Sequence, residues 1–467
     1  MDQLGKRLVN EGVVTQQQVD LALERQKLQG GRVGQNLVAL GFISSAALEK
    51  FFKRHPPPPA TLEETDVDPT VLTDLVMKHI LFMGDFKLAD VAERVKLPIH
   101  LVDTIMESLR RDKFVEVKGG GGYATVTYTF KISDAGKVRS TELFDLCRYV
   151  GPAPVSLEAY RTMVGLHSIK TIVVGEESVK KAFSHMVFSD SLLKRLGPAI
   201  SSGKSLFVYG PPGNGKTAVA ETIGAILPDN VYIPYAISVG GQIITMFDPV
   251  NHVMAESAVV QGALDQRWAF IKRPIIITGG ELTLQMLELE FNEISKYYEA
   301  PLQMKANNGI FIVDDFGRQQ INPQNLLNRW IVPLERRIDF MTLNTGMKFH
   351  VPFDMLVIFS TNLEPRDLVD EAFLRRIRYK IKIDHPTEEQ YETIFRRVCE
   401  KSGVIFNNDT FRFLMNDCYR NNSIKLNACH PRDIIDHIVD SAHYYRRPPE
   451  MTRESISAAW QNYFVEM

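Results

Sequence analysis

The chain has 467 residues, 45% hydrophobic and 24% charged, the balance of a folded protein too long for one ordinary core. Its formal net charge of -2 argues against a whole-molecule attraction to nucleic acid or to an acidic membrane, leaving only local patches. No apolar run approaches the ~18–20 residues that span a bilayer, "MDQLGKRLVNEG" lacks the apolar centre of a signal peptide, and Cys147, Cys399, Cys418 and Cys429 show no metal-ligand spacing, so a cytoplasmic chain with reduced thiols is expected.

The first 55 residues state one phrase twice. Gln3–Gln26 aligns with Arg32–His55 at an offset of 29: Gly5 meets Gly34, Leu8 meets Leu37, Gly12 meets Gly41, Thr15 meets Ser44. Each unit reads as a short helix, a glycine stop, a hydrophobic turn, a Thr or Ser cap and a second helix. "TQQQ" at 15–18 fits a capping box. The residues alone describe a small helical bundle used for docking. The layout, two 24-residue units separated by the five residues "KLQGG", also resembles the N-terminal domain of MshE-type secretion and pilus ATPases, which binds cyclic di-GMP. That resemblance implies ligand contacts at Gln3, Leu4 and Gly5, at Gln26, and at Arg32, Val33 and Gly34. The first unit departs from the family's Arg-Leu-Gly opening, because Gln3 brings no charge to a dianion. A cyclic di-GMP sensor and a degenerate docking module both stay open.

"HPPPPAT" (His55–Thr61) cannot continue a helix and favours a stiff spacer, so residues 56–66 read as a linker. Residues 67–150 read as a winged helix. "FKLADVAERVKLPIHLVDTIMESLRRDKFVEV" gives two amphipathic helices around a Lys96-Leu-Pro98 turn, then two strands flank the glycine cluster Gly119–Gly122. A helix-turn-helix invites a DNA reading. Its second helix, however, offers His100, Asp103, Thr104 and Glu107 at the front, and two acids there repel phosphate. Nucleic acid is therefore not favoured, and a protein-contact or relay role is preferred.

"SLFVYGPPGNGKTAVAETIGAIL" carries the sharpest signal. A β-prone run enters Gly210-Pro211-Pro212-Gly213-Asn214-Gly215-Lys216-Thr217, which fits G-x-x-x-x-G-K-[ST], and a helical stretch follows. Glycines let backbone N–H groups curl around phosphate oxygens, and the helix N-terminus adds positive potential. Lys216 reaches the β- and γ-phosphates, and Thr217 ligates Mg²⁺. "NNGIFIVDDFGR" supplies a buried strand ending in acid, with Asp314 for the Mg²⁺ shell and Asp315 for the attacking water. Asp315 is one methylene shorter than Glu, which calls for slow hydrolysis or a shifted backbone, and it also has a bland reading as a helix cap.

Residues from about 160 on resemble an AAA+ ATPase module. The resemblance implies an α/β P-loop fold with a five-stranded parallel sheet over 151–384 and a helical lid over 385–467. It implies that Asn362 orients water, that Arg376, or else Arg375, acts on a neighbouring subunit's γ-phosphate, and that Arg432 points back from the lid. Arginine suits both tasks through its fixed charge and planar donors. The five strands are expected at Ser205–Gly210, Val231–Ile237, Ile310–Asp315, Met355–Asn362 and Arg378–Ile383. Leu282–Asn307 is added length, and "ISVGGQI" stands where a client-threading loop would follow the second strand. The reading is a bacterial, self-associating ATPase that uses ATP and Mg²⁺ on an unknown protein client under cyclic di-GMP control. Its alternatives are a DNA-associated, ATP-dependent regulator or loader that uses the winged helix and a nucleotide-gated docking protein with little hydrolysis.

Overall fold

A computed structural model describes residues 5, 8–9, 12–30, 33–44, 47, 55–119, 128–172, 174–256, 264–368 and 371–464. It contains the expected five-stranded parallel sheet. The strands are β1 (Leu206–Tyr209), β2 (Ile275–Thr278), β3 (Ile310–Val313), β4 (Leu356–Thr361) and β5 (Tyr379–Lys382), in the order β2-β3-β4-β1-β5. The three central strands are apolar because both their faces are covered. Trp330 packs edge-on to Phe311, Phe353 and Phe359 on one face. Val219, Ala220 and Ile223 of the helix Lys216–Ile226 pack with Leu196 and Ile200 on the other.

The second strand is not where the sequence places it. The run Val231–Ile237 splits instead. Asn230–Pro234 pairs antiparallel with Trp268–Lys272, and Ala236–Val239 pairs antiparallel with Gln242–Thr245, with "ISVGGQI" as the hairpin turn. Both pairs lie between the helix Lys216–Ile226 and β2 and belong to an accessory β body that also draws strands from before that helix and after β2. Its sheet runs Glu290–Asn292, Tyr297–Glu299, Gln242–Thr245, Ala236–Val239, Val155–Ser156. It shares one core with the hairpin Ile338–Thr342/Lys348–Pro352 through Trp268, Tyr298, Met341 and Val351. The added length at Leu282–Asn307 contributes two strands to that sheet. β-propensity reports fit to a pleated surface, and says nothing of which sheet the surface belongs to.

Upstream, the helices Pro69–Leu81, Leu88–Val95, Ile99–Arg111 and Asp134–Leu146 surround a small antiparallel sheet of Asp85–Phe86, Thr129–Ile132 and Val115–Gly119. Gly120–Tyr123 lie outside the described residues. The core around Leu72, Val91, Val102, Ile105 and Phe130 continues into Ala236 and Ile243 of the β body. The front of the helix Ile99–Arg111 is met by the chain itself, with His100 Nε2 2.9 Å from Ala60 O.

In the N-terminal repeat the hydrogen bonds themselves repeat. Gly12 N and Val13 N donate to Val9 O and Leu8 O, and 29 residues on Gly41 N and Phe42 N donate to Val38 O and Leu37 O. Gly12 and Gly41 stand at φ 67° and 72°, the left-handed stop that glycine adopts freely. Thr15 forms its capping box with Gln18, and Ser44 Oγ accepts from Ala47 N. Leu8, Val14, Val19, Val33, Leu37 and Ile43 share one small core. The proline run does not project as a free spacer. His55 Nδ1 lies 2.8 Å from Tyr232 OH, and Pro56 O accepts from Asp265 N at 2.9 Å, so the run is laid along the β body.

Beyond β5 the chain is helical: Glu388–Lys401, Asn408–Phe413 with a π-helical continuation Leu414–Arg420, His430–Tyr444 and Arg453–Tyr463. His430 is buried in this bundle, its Nδ1 2.9 Å from Tyr419 OH. Burial pushes its imidazole down to about 4 from 6.5. A base depressed in the folded state is protonated first in the unfolded state. Stability is therefore lost as pH falls from about 6.5 to about 4, by roughly 2–3 kcal/mol. Denaturant titrations at pH 7 and pH 5 should show this slope, and His430→Gln should flatten it. Among the described residues no helix is long and apolar enough to cross a membrane.

Candidate nucleotide site

The parallel register sets the site. Val313 pairs with Phe359 and Thr361 with Tyr209, so Gly210, Asp314 and Asn362 all leave the carboxyl edge of the sheet. Gly210–Thr217 runs from β1 into the helix Lys216–Ile226. Lys216 is buried and its Nζ donates to Pro211 O at 2.9 Å. Desolvation lowers its pKa, opposed by the charges of Asp315 and Asp314. Thr217 Oγ1 donates to Asp314 Oδ2 at 2.8 Å.

Asp315 takes a left-handed conformation, φ 49°, which Asp tolerates better than most residues. Its Oδ1 accepts from Asn362 Nδ2 at 3.2 Å. The bend is fixed from three sides: Phe316 N donates to Ser360 O at 2.7 Å, Thr361 Oγ1 to Phe316 O at 2.8 Å, and Gln319 Nε2 to Asp314 O at 2.8 Å.

One cleft of about 690 Å³ gathers Pro212, Gly213, Gly215, Lys216, Thr217, Asp314, Asp315, Asn362 and Arg432. Arg432 sits in the first turn of the helix His430–Tyr444, with its side chain 71% exposed and its Nε 3.6 Å from Asp433. Arg375 and Arg376 do not line this cleft. Arg376 Nε is braced by Glu335 of the helix Pro323–Arg336, with the guanidinium side chain 27% exposed. Arg375 is 77% exposed, 3.4 Å from Glu371, and faces a separate recess with Tyr209, Arg366 and Lys380. In the head, Gln3, Leu4 and Arg32 lie outside the described residues. Gly5, Val33 and Gly34 are buried and Gln26 is half-buried. A Cβ on Gly5 would meet Val19 Cγ1 at 2.3 Å, so this glycine serves packing at least.

Sequence reasoning missed the cleft's apolar wall, made by Met186 and Val398 beside Cys429. Arg397 Nη1 donates to Ser184 O at 2.9 Å and holds the turn before Met186 against the lid. Residues 213 apart in sequence meet there, and no local spacing announces that.

The chain is similar to several known proteins over part of its length. A 245-residue stretch is 23% identical to Spastin of Drosophila persimilis, covering 52% of this chain and 25% of that protein. A 219-residue stretch is 24% identical to Vesicle-fusing ATPase of Dictyostelium discoideum, covering 46% and 24%. Over about half of its length the chain has AAA+ ATPase-like homology. The chain spans about a quarter of the length of these curated relatives. Residues 387–462 match a family model described as Domain of unknown function (DUF8689). Among solved structures, NtrX from Brucella abortus in complex with ADP aligns with 14% identity and a TM-score of 0.38, over 71% of this chain and 67% of that one.

Proposed function

We propose that this chain is a bacterial, cytoplasmic, Mg²⁺-dependent ATPase that works as an oligomer on a protein client. The reading is carried by two contacts on one cleft wall, Thr217–Asp314 at 2.8 Å and Asn362–Asp315 at 3.2 Å. Thr217 and Asp314 offer the hard oxygen donors that Mg²⁺ takes, and the ion when bound offsets phosphate charge. Lys216 and the loop amides hold the phosphates. Asp315, fixed by Asn362, orients the attacking water. Arg432 closes from the lid, and Arg375 or Arg376 serves a neighbouring subunit. Turnover should require Mg²⁺ and rise more than linearly with protein concentration, as a site shared between subunits demands. A purified chain that binds no ATP with Mg²⁺ supplied overturns the reading.

The repeated head is proposed to bias that activity by binding cyclic di-GMP, supported by its duplicated turns and shared core. Calorimetry on the full chain tests it, with Arg32→Ala as control. A second reading, the head as a docking module, is favoured by the contact of His55 with Tyr232. The winged-helix-like domain is proposed as a relay or protein contact, since its second helix begins against Ala60.

A further inference from the structure

The phosphate loop and the lid are bonded to one another directly. Asn214, 3% exposed, lies between them. Its Oδ1 accepts from Ala428 N at 2.9 Å, and its Nδ2 lies 3.4 Å from Asn427 Oδ1. The same Nδ2 faces Pro211 O at 3.4 Å and Pro212 O at 3.3 Å within the loop. One residue earlier, Gly213 O accepts from Cys429 N at 2.9 Å. The approach is close enough that a Cβ on Gly213 would stand 2.5 Å from Cys429 Sγ. On the lid side His385 Nδ1 is 2.8 Å from both Leu426 O and Asn427 Oδ1, so the strip 426–429 is held from two directions. Three residues beyond this strip, in the first turn of the helix it leads into, stands Arg432.

We propose that Asn214 is a positioning residue: it seats the lid on the phosphate loop and thereby sets where Arg432 stands over the phosphates. Where the proposal concerns turnover it rests on the ATPase reading above. The physical argument is that a buried amide satisfied from both walls cannot follow one wall without leaving the other unpaired. The loop that wraps the phosphates is therefore also the lid's bearing. A shift of the loop is transmitted to Ala428 and Cys429 through two hydrogen bonds, and Arg432 moves with them.

The test uses the full chain and two variants on opposite walls, Asn214→Ala in the loop and Asn427→Ala in the lid strip. The first readout is amide hydrogen exchange at Ala428 and Cys429, which needs neither nucleotide nor turnover. Both variants should raise exchange there, by roughly tenfold for Asn214→Ala. Asn214→Asp keeps the acceptor for Ala428 N and should restore protection at that amide. The second readout is kinetic. KM for ATP should rise several-fold in both variants, and Arg432→Ala should cost less in the Asn214→Ala background than alone, a non-additive pair. Unchanged exchange at Ala428 and Cys429 in Asn214→Ala overturns the proposal. So does a wild-type KM in Asn427→Ala beside a raised KM in Asn214→Ala, because Asn214 then acts inside the loop alone. Absence of turnover in the unsubstituted protein removes the ATPase reading instead, and the exchange result still decides the seam.

Discussion

Asp315→Asn is expected to hold ATP and stall, with turnover reduced by about 10²–10⁴-fold, the usual worth of a positioned acid–base group. Asparagine keeps the shape of aspartate and accepts a left-handed backbone, so the bend at φ 49° survives. Lys216, Thr217 and Asp314 are untouched, so ATP affinity should stay within a few-fold of the unsubstituted chain. What is lost is the charge facing Asn362 across 3.2 Å, and with it the means to polarise water. Steady-state turnover set beside equilibrium ATP binding makes the check. Full activity in Asp315→Asn would reduce this residue to a cap on the turn that follows β3.

Two inactive variants are expected to rescue one another. Arg375 and Arg376 do not line the cleft of their own chain, and in the proposed reading one of them serves another subunit. Their surroundings differ. Arg376 is braced by Glu335, whereas Arg375 is 77% exposed and tied only loosely to Glu371 among its described contacts. Arg375→Ala should therefore lower turnover by roughly 10³-fold while leaving ATP affinity intact. Mixed one-to-one with Asp315→Asn subunits, it should recover about a quarter of full activity, since one neighbouring pair in four then joins an intact acid to an intact arginine. Mixing Arg376→Ala in the same way ranks the two arginines. No recovery in either mixture, with assembly verified by light scattering, excludes action between subunits for both.

The parts of the fold legible in the sequence were those written by local chemistry. Glycine spacing before Lys216 marks a loop that curls around phosphate, and a run such as Ile310–Val313 ending in two acids marks a strand buried on both faces. The capping box at Thr15 and the stops at Gly12 and Gly41 are equally local. The second strand was not legible. Val231–Ile237 is as β-prone as any run in the chain, yet it pairs within the accessory body. β2 is a four-residue edge with Ile275 and Ile277 partly exposed, so it looks like one more hairpin strand. Pairing across an insertion is non-local, and periodicity carries no address. In the cleft, Lys216, Thr217, Asp314, Asp315 and Asn362 follow from motifs. The wall at Met186 and Val398 and the seam at Asn214 arise only when the lid folds back, which no spacing encodes.

In the duplicated head, His55 stands where Gln26 stands one unit earlier. Gln26 ends its unit half-buried near the surface, whereas His55 is 7% exposed and engaged with Tyr232. The two ends of the repeat thus differ in their surroundings, and only the second is packed against the β body among the described contacts. His55 and Pro56 join the close of the second unit to the strand that bears Tyr232 and to Asp265.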